Sequence, residues 1–219
     1  MKEVAITNDE VLTLLDEALW FYEKRDELKA VNPQSMDQNK DYYLSEDYLK
    51  KIKDIGSGHI GFPEAQRSYE LRPLSQSKVR SKQIPSHWLT KYLSINDKLM
   101  NALSVRHNAL AAVYPPNGFI SWHNNANATG FNLILTWSET GEGWFDYIDP
   151  NGKRVSFKDK PNQWVCRYGI FGSYHQTKYP IVYHAASTDC WRMTLSYIFD
   201  ESEISCGMQE FIIEELTTP

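Results

Sequence analysis

From Val105 to about residue 199 the chain is cut into short apolar and aromatic runs, most of them closed by a turn signal. The runs are 109–114, 118–123, 130–137, 143–148, 153–157, 163–168, 180–184 and 191–199. Asn117-Gly118, Asn127-Ala-Thr-Gly130, Glu139-Thr-Gly141 and Asn151-Gly152 separate several of them. Runs this short, rich in β-branched and aromatic residues, suit strands better than helices. Asn-Gly between two apolar runs is a hairpin signal. About eight such strands in one block predict a sandwich or jelly roll. The seven Trp and thirteen Tyr of the 219-residue chain point the same way.

The first hundred residues have a different texture. Thr7-Asn-Asp-Glu10 reads as a capping box. Val11, Leu12, Leu15, Ala18, Leu19 and Tyr22 follow at helical spacing, and Asn32-Pro33 ends the pattern. Ser45 predicts the start of a shorter helix through Tyr48, Leu49 and Ile52, stopped by Gly56-Ser-Gly58. Ser86 predicts a third, through Trp88, Leu89, Tyr92, Leu93, Leu99 and Leu103, with a break near Ser94. Residues 56–86 read as an irregular excursion. Arg67, Arg72, Lys78, Arg80 and Lys82 make it basic: either a solvated loop or a contact for an anionic substrate or polynucleotide. The expected organisation is one domain: a helical prelude and loop over 1–104, a jelly-roll core over 105–200 and an acidic tail over 201–219, with a short helix near Phe211 to Leu216.

A net charge of −5 argues against a globally basic nucleic-acid binder. Cys166, Cys190 and Cys206 are odd in number and lack metal-ligand spacing, which suits a reducing compartment without disulfides. No segment reads as a signal peptide or a bilayer span. The expectation is a cytoplasmic protein that acts on a small molecule or peptide, with no membrane partner.

Two histidines carry the chemistry. His123 lies in Tyr114-Pro-Pro-Asn-Gly-Phe-Ile-Ser-Trp-His-Asn-Asn125, and His184 lies sixty-one residues on. Each is read as ending a strand. Arg192 follows His184 by eight residues, with Thr194 two further on. A histidine, a side-chain oxygen two residues later and a distant second histidine can form one face of a non-haem iron site. Strand alternation puts His123 and Asn125 on one side, and Arg192 and Thr194 on one side of theirs. A planar guanidinium is suited to holding a carboxylate with two parallel bonds.

At these residues the chain resembles the Fe(II)- and 2-oxoglutarate-dependent dioxygenases, in particular their prolyl-hydroxylase-like branch. The likeness covers roughly 105–200. It also includes Tyr114-Pro-x-Asn-Gly, Gly143-Trp-Phe-Asp146 and Gly169-Ile-Phe-Gly172. The resemblance implies a double-stranded β-helix, a cupin-like jelly roll preceded by helices. It implies Fe(II) held by His123, His184 and the residue at 125. It implies 2-oxoglutarate anchored by Arg192, Thr194 and Tyr114, and hydroxylation of a substrate the sequence does not specify.

The family's early motif is His-x-Asp, and Asn125 stands in the Asp position. Asparagine offers a neutral carbonyl oxygen where aspartate would offset part of the metal's charge. Three readings stay open. The site is active, with Asn125 as a weak ligand or with Asp146 or Asp189 as the third. The fold is kept and the chemistry lost, leaving a binding protein. Or a ligand position is vacated, as in halogenase-like variants, which usually carry a small apolar residue there. The first is preferred because His123, His184, Arg192 and Thr194 all remain. His59, His87, His107 and His175 read as structural or exposed, Trp137 and Trp144 as core or rim aromatics, and Asp146 as a turn or strand-edge residue.

Overall fold

The computed structural model describes residues 1–31, 39–59, 61–72, 86–105, 107–175, 178–199 and 207–218. Eleven strands lie among them: β1 (Lys2–Ala5), β2 (Gln66–Arg67), β3 (Tyr69–Glu70), β4 (His107–Tyr114), β5 (Phe119–His123), β6 (Gly130–Ser138), β7 (Gly143–Ile148), β8 (Arg154–Lys158), β9 (Val165–Phe171), β10 (His184–Thr188) and β11 (Arg192–Ile198). They form two antiparallel sheets, one ordered β1-β9-β6-β11-β4-β3 and the other β2-β5-β10-β7-β8. The fold is a double-stranded β-helix, a jelly roll with helices on its outer faces.

Alternation along the strands sorts each sheet into an inner and an outer face. In the six-stranded sheet Met193, Leu195 and Tyr197 of β11 join Leu133 and Leu135 of β6 on the outer side. The helices α1 (Asp9–Ala18) and α6 (Ser86–Ala102) cover that face with Leu14, Leu15, Trp88 and Leu99. In the five-stranded sheet Trp122 and Ala185 face outward against Tyr48, Leu49 and Ile52 of α5 (Glu46–Ile55). Each fully buried side chain of this size stabilises by about 1.5–3 kcal/mol. The helix behind β5 and β10 therefore fixes the backbone of the two strands that carry His123 and His184.

Several local expectations change. The first helix is capped by Asn8, whose side chain accepts from the Val11 N–H at 3.0 Å, while the Thr7 hydroxyl bonds the Thr217 carbonyl. The N-terminal helical stretch is broken into α1, α2 (Trp20–Glu23) and α3 (Arg25–Val31), and a short α4 (Lys40–Tyr43) precedes α5. Ser45 does cap α5, accepting from the Tyr48 N–H at 3.2 Å. No break occurs at Ser94, because α6 is continuous. Within the supposedly irregular 56–86, β2 and β3 add to the sheet edges; Lys78, Arg80 and Lys82 lie outside the described residues.

The strand expected at 180–184 begins at its predicted end and runs over His184–Thr188. Pro180 cannot donate to a ladder, and 180–183 lie outside the strand, with the Pro180 and Tyr183 carbonyls accepting from Gly172 and Ile148. Ala185, Ala186 and Ser187 are weak strand formers, but β5 and β7 pair with them from both sides. Tertiary pairing overrides local preference here. The tail helix α7 (Gln209–Thr217) buries Ile212 and Leu216, and the Leu216 carbonyl accepts from Thr7 and Asn8. Cys166 and Cys190 are buried and unbridged, and Cys206 lies outside the described residues. No helix among the described residues is long and apolar enough to cross a membrane.

Candidate metal centre

His123 and His184 sit directly opposite each other in the β5–β10 ladder. Their ring centroids are 4.1 Å apart and the planes meet at 52°. His123 Nδ1 lies 2.8 Å from the Ser121 carbonyl oxygen, and His184 Nδ1 lies 3.0 Å from that of Val182. A carbonyl only accepts, so both Nδ1 atoms carry the proton and both Nε2 atoms present lone pairs. A backbone acceptor on the far nitrogen is also what orients a metal-ligating imidazole. Phe145 stacks on His184 at 5.6 Å, and Phe171 lies 4.8 Å from it. Burial keeps both rings neutral: the pKa of His184 is lowered to about 4, and that of His123 falls well below the usual range through burial and the neighbouring His184.

Asn125 follows the end of β5 in the left-handed region, at φ 49°, a conformation that Asn tolerates better than most residues. Its backbone N–H donates to the Gly61 carbonyl at 3.0 Å, and its own carbonyl accepts from Ala128 at 2.8 Å. Gly61 is required: a Cβ there would collide with Ala126 and Asn127. The strand has ended before Asn125, so simple alternation does not place it. Even so, its amide nitrogen comes within 3.5 Å of His184 Nε2. Half a turn of the amide presents Oδ1 in place of the nitrogen. Asn124 turns away, donating to the Tyr174 hydroxyl at 3.0 Å. The expected set of His123, Asn125 and His184 is thus brought together.

The alternative carboxylates are elsewhere. Asp146 pairs in register with Ala185, so it projects from the opposite face to His184. It is no turn or edge residue: it lies within β7, between β10 and β8, and binds Arg154 at 2.7 Å. Asp189 pairs with Lys40 at 3.0 Å on the surface. No cluster of three or more His, Cys, Asp or Glu able to hold a metal occurs among the described residues. Beside the two imidazoles, the side-chain polar group brought to His184 Nε2 is the Asn125 amide. Two neutral imidazole lone pairs and one amide oxygen fit a divalent first-row ion in donor type, but none of the three offsets its charge.

Arg192 and Thr194 share a face of β11 that points between the sheets, level with Tyr114 and Ala112 of β4. The Arg192 guanidinium carbon lies 5.5 Å from the Tyr114 ring centre. The Tyr114 hydroxyl is buried without a hydrogen-bond partner, at a cost of about 1–3 kcal/mol. Burial pushes its pKa up, so it remains a neutral O–H. Each guanidinium nitrogen of Arg192 has a protein partner. Its Nε donates to Asp159 Oδ2 at 2.8 Å, Nη1 to the Thr194 hydroxyl at 2.6 Å and Nη2 to the Thr136 hydroxyl at 3.4 Å.

Sequence reasoning missed Asp159. It bridges two guanidinium groups, with Oδ1 accepting from Arg167 Nη1 at 2.6 Å. The side chains of Asp159, Arg167 and Arg192 are at most 1% exposed. Glu3 completes the set, accepting from Arg167 Nε at 2.8 Å. Two cations and two anions therefore balance within the cluster. A second carboxylate brought to Arg192 would leave one buried negative charge without a partner. The far carboxylate of 2-oxoglutarate does not fit this arrangement.

Of the other candidates, Trp137 packs on the outer face against Tyr22, in the core. Trp144 is half-buried in β7. His59 is buried, and its Nε2 has no hydrogen-bond partner.

No family model and no curated protein matches the chain. Among solved structures, a Pseudomonas putida prolyl-4-hydroxylase aligns over 92% of this chain and 92% of its own, at 11% identity and a TM-score of 0.42. Full-length Neurospora crassa T7H in complex with alpha-KG aligns over 91% of this chain and 74% of its own, at 12% identity and a TM-score of 0.42. A cupin domain from Bordetella pertussis covers 42% of this chain and 82% of its own, at 12% identity and a TM-score of 0.27.

Proposed function

We propose that this chain is a non-haem iron protein of the oxygenase type, with His123, His184 and Asn125 as its ligands to Fe(II). The observation that carries the reading is the pair of buried imidazoles. Their Nδ1 atoms are tied to backbone carbonyls, and the Asn125 amide closes on the Nε2 of His184. Bound iron would supply the activation of dioxygen for substrate oxidation. The chain's own residues hold the rings, through Ser121 and Val182, and Phe145 and Phe171 wall His184 from water.

In its finer form the reading is a 2-oxoglutarate-dependent hydroxylase acting on a small molecule or peptide, with Arg192, Thr194 and Tyr114 as the co-substrate anchor. The unpartnered Tyr114 hydroxyl supports that form, and the Asp159–Arg192 pair opposes it. An anaerobic titration with Fe(II), repeated with Co(II) to read visible absorption, tests the metal centre. Binding that survives in His184→Ala would sink the assignment.

A second reading is favoured by Asn125 and Asp159 together: a jelly-roll binding protein that has lost the chemistry. Succinate release separates the two. If Asn125→Asp produces succinate from 2-oxoglutarate and the native chain does not, the native site is degenerate.

A further inference from the structure

We infer that Asp159 stands in for the distal carboxylate of a dicarboxylate ligand, so the interior accepts a metal-chelating ligand whose far end carries no negative charge. Three observations combine. The Asp159 carboxylate already holds the Arg192 Nε at 2.8 Å. The Thr194 and Thr136 hydroxyls take the outer nitrogens, at 2.6 and 3.4 Å. Gly143 makes the contact possible: a Cβ there would run into Asp159 Oδ2, and the Gly143 carbonyl accepts from the Asp159 N–H at 2.8 Å. Asp159 is thus seated by the backbone of β7 as well as by two arginines.

The charge count explains the selectivity. Arg167 and Arg192 are matched by Glu3 and Asp159. An incoming distal carboxylate must either displace Asp159 into an apolar interior or share one guanidinium with it. Either event costs a buried, unpaired charge. A neutral tail meets no such penalty against Ile120, Ile134, Phe145 and Phe171, which line the same interior. The ligand class is therefore a monoanionic chelate, such as a 2-oxo monocarboxylate, rather than 2-oxoglutarate.

This inference rests on the proposed metal centre only for the chelating end of the ligand. Calorimetry on the Co(II)-loaded chain, titrated with 2-oxoglutarate and with pyruvate, tests it. The native chain is expected to bind pyruvate at least about 10-fold tighter than 2-oxoglutarate. Asp159→Asn should tighten 2-oxoglutarate by about 10-fold, roughly 1.4 kcal/mol, and leave pyruvate unchanged. A native preference for pyruvate of less than about 10-fold overturns the inference, as does a folded Asp159→Asn with no gain. If that variant does not fold, the native ratio decides alone. A second readout needs no metal: the Nε–H resonance of Arg192, assigned with Arg192→Lys, during titration with glutarate. An unmoved signal in the native chain supports the inference, and a shifted one overturns it. Failure to take up Co(II), read from its spectrum, counts against the metal centre and leaves this second test intact.

Discussion

Two polar clusters lie between the sheets, and they are satisfied in opposite ways. Around Arg192 every charge has an internal counter-charge: Asp159 serves two arginines, and Glu3 serves the second of them. Around His184 the groups are neutral, and the His184 Nε2 lone pair meets an amide at 3.5 Å. The first cluster is complete without a ligand. The second has donor atoms whose natural complement is a cation. A buried group already paired inside the protein contributes to stability and specificity of the fold, whereas one left short of a partner marks where binding energy is available.

The sharpest way to break the contrast is Asp159→Ala. It strands two buried guanidinium groups with Glu3 as their one carboxylate, and should destabilise the fold by about 3–5 kcal/mol, read by chemical denaturation of the metal-free chain. His184→Ala should cost less stability than that, through the cavity left beside Phe145 and Phe171, yet lose more than about 100-fold in Co(II) affinity, beyond the 10–100-fold typical of a supporting residue. A stable Asp159→Ala, or a His184→Ala with native metal uptake, would erase the distinction.

Acid should act on the histidine cluster. His184 has its pKa lowered from the usual 6.5 to about 4, and His123 is lowered as well. The unfolded chain thus takes up protons that the folded chain refuses. Stability is full above about pH 6.5 and falls as pH drops toward 4, by at most about 1.4 kcal/mol per pH unit for each ring. Denaturation midpoints of the metal-free chain across that window check the slope, and His184→Gln should flatten it. The smallest effect sharpens the comparison: Asn125→Asp should raise Co(II) affinity by about 10-fold, roughly the 1.4 kcal/mol of one modest charge interaction, with the denaturation midpoint little changed.

Much of this architecture is legible in the sequence. Seven of the eight aromatic runs mark strands, β4 to β9 and β11, and strand alternation places Arg192 and Thr194 on one inward face. His123 and Asn125 are legible as a pair, although the left-handed backbone of Asn125, not alternation, brings its amide to His184. The start of β10 is not legible, because Ala185-Ala-Ser187 gains its extended form from neighbours on both sides. Asp159 is not legible either. It sits in Lys158-Asp-Lys-Pro161, which reads as a solvated turn, and Arg192 lies 33 residues away in sequence. Local pattern carries no information about a buried ion pair whose members are joined only by closure of the barrel.

The contact between Thr7 and Thr217 spans 210 residues. At roughly 5–20 residues per second of synthesis, α1 would wait about 10–40 s for α7 to emerge. Through that interval the backbone N–H groups of Thr7 and Asn8 have no Leu216 carbonyl to meet, and Val11 and Leu15 are without Ile212 and Leu216 in their shared core. A segment made about 200 residues later thus closes over the first, so folding during synthesis reaches this packing only after α7 has emerged.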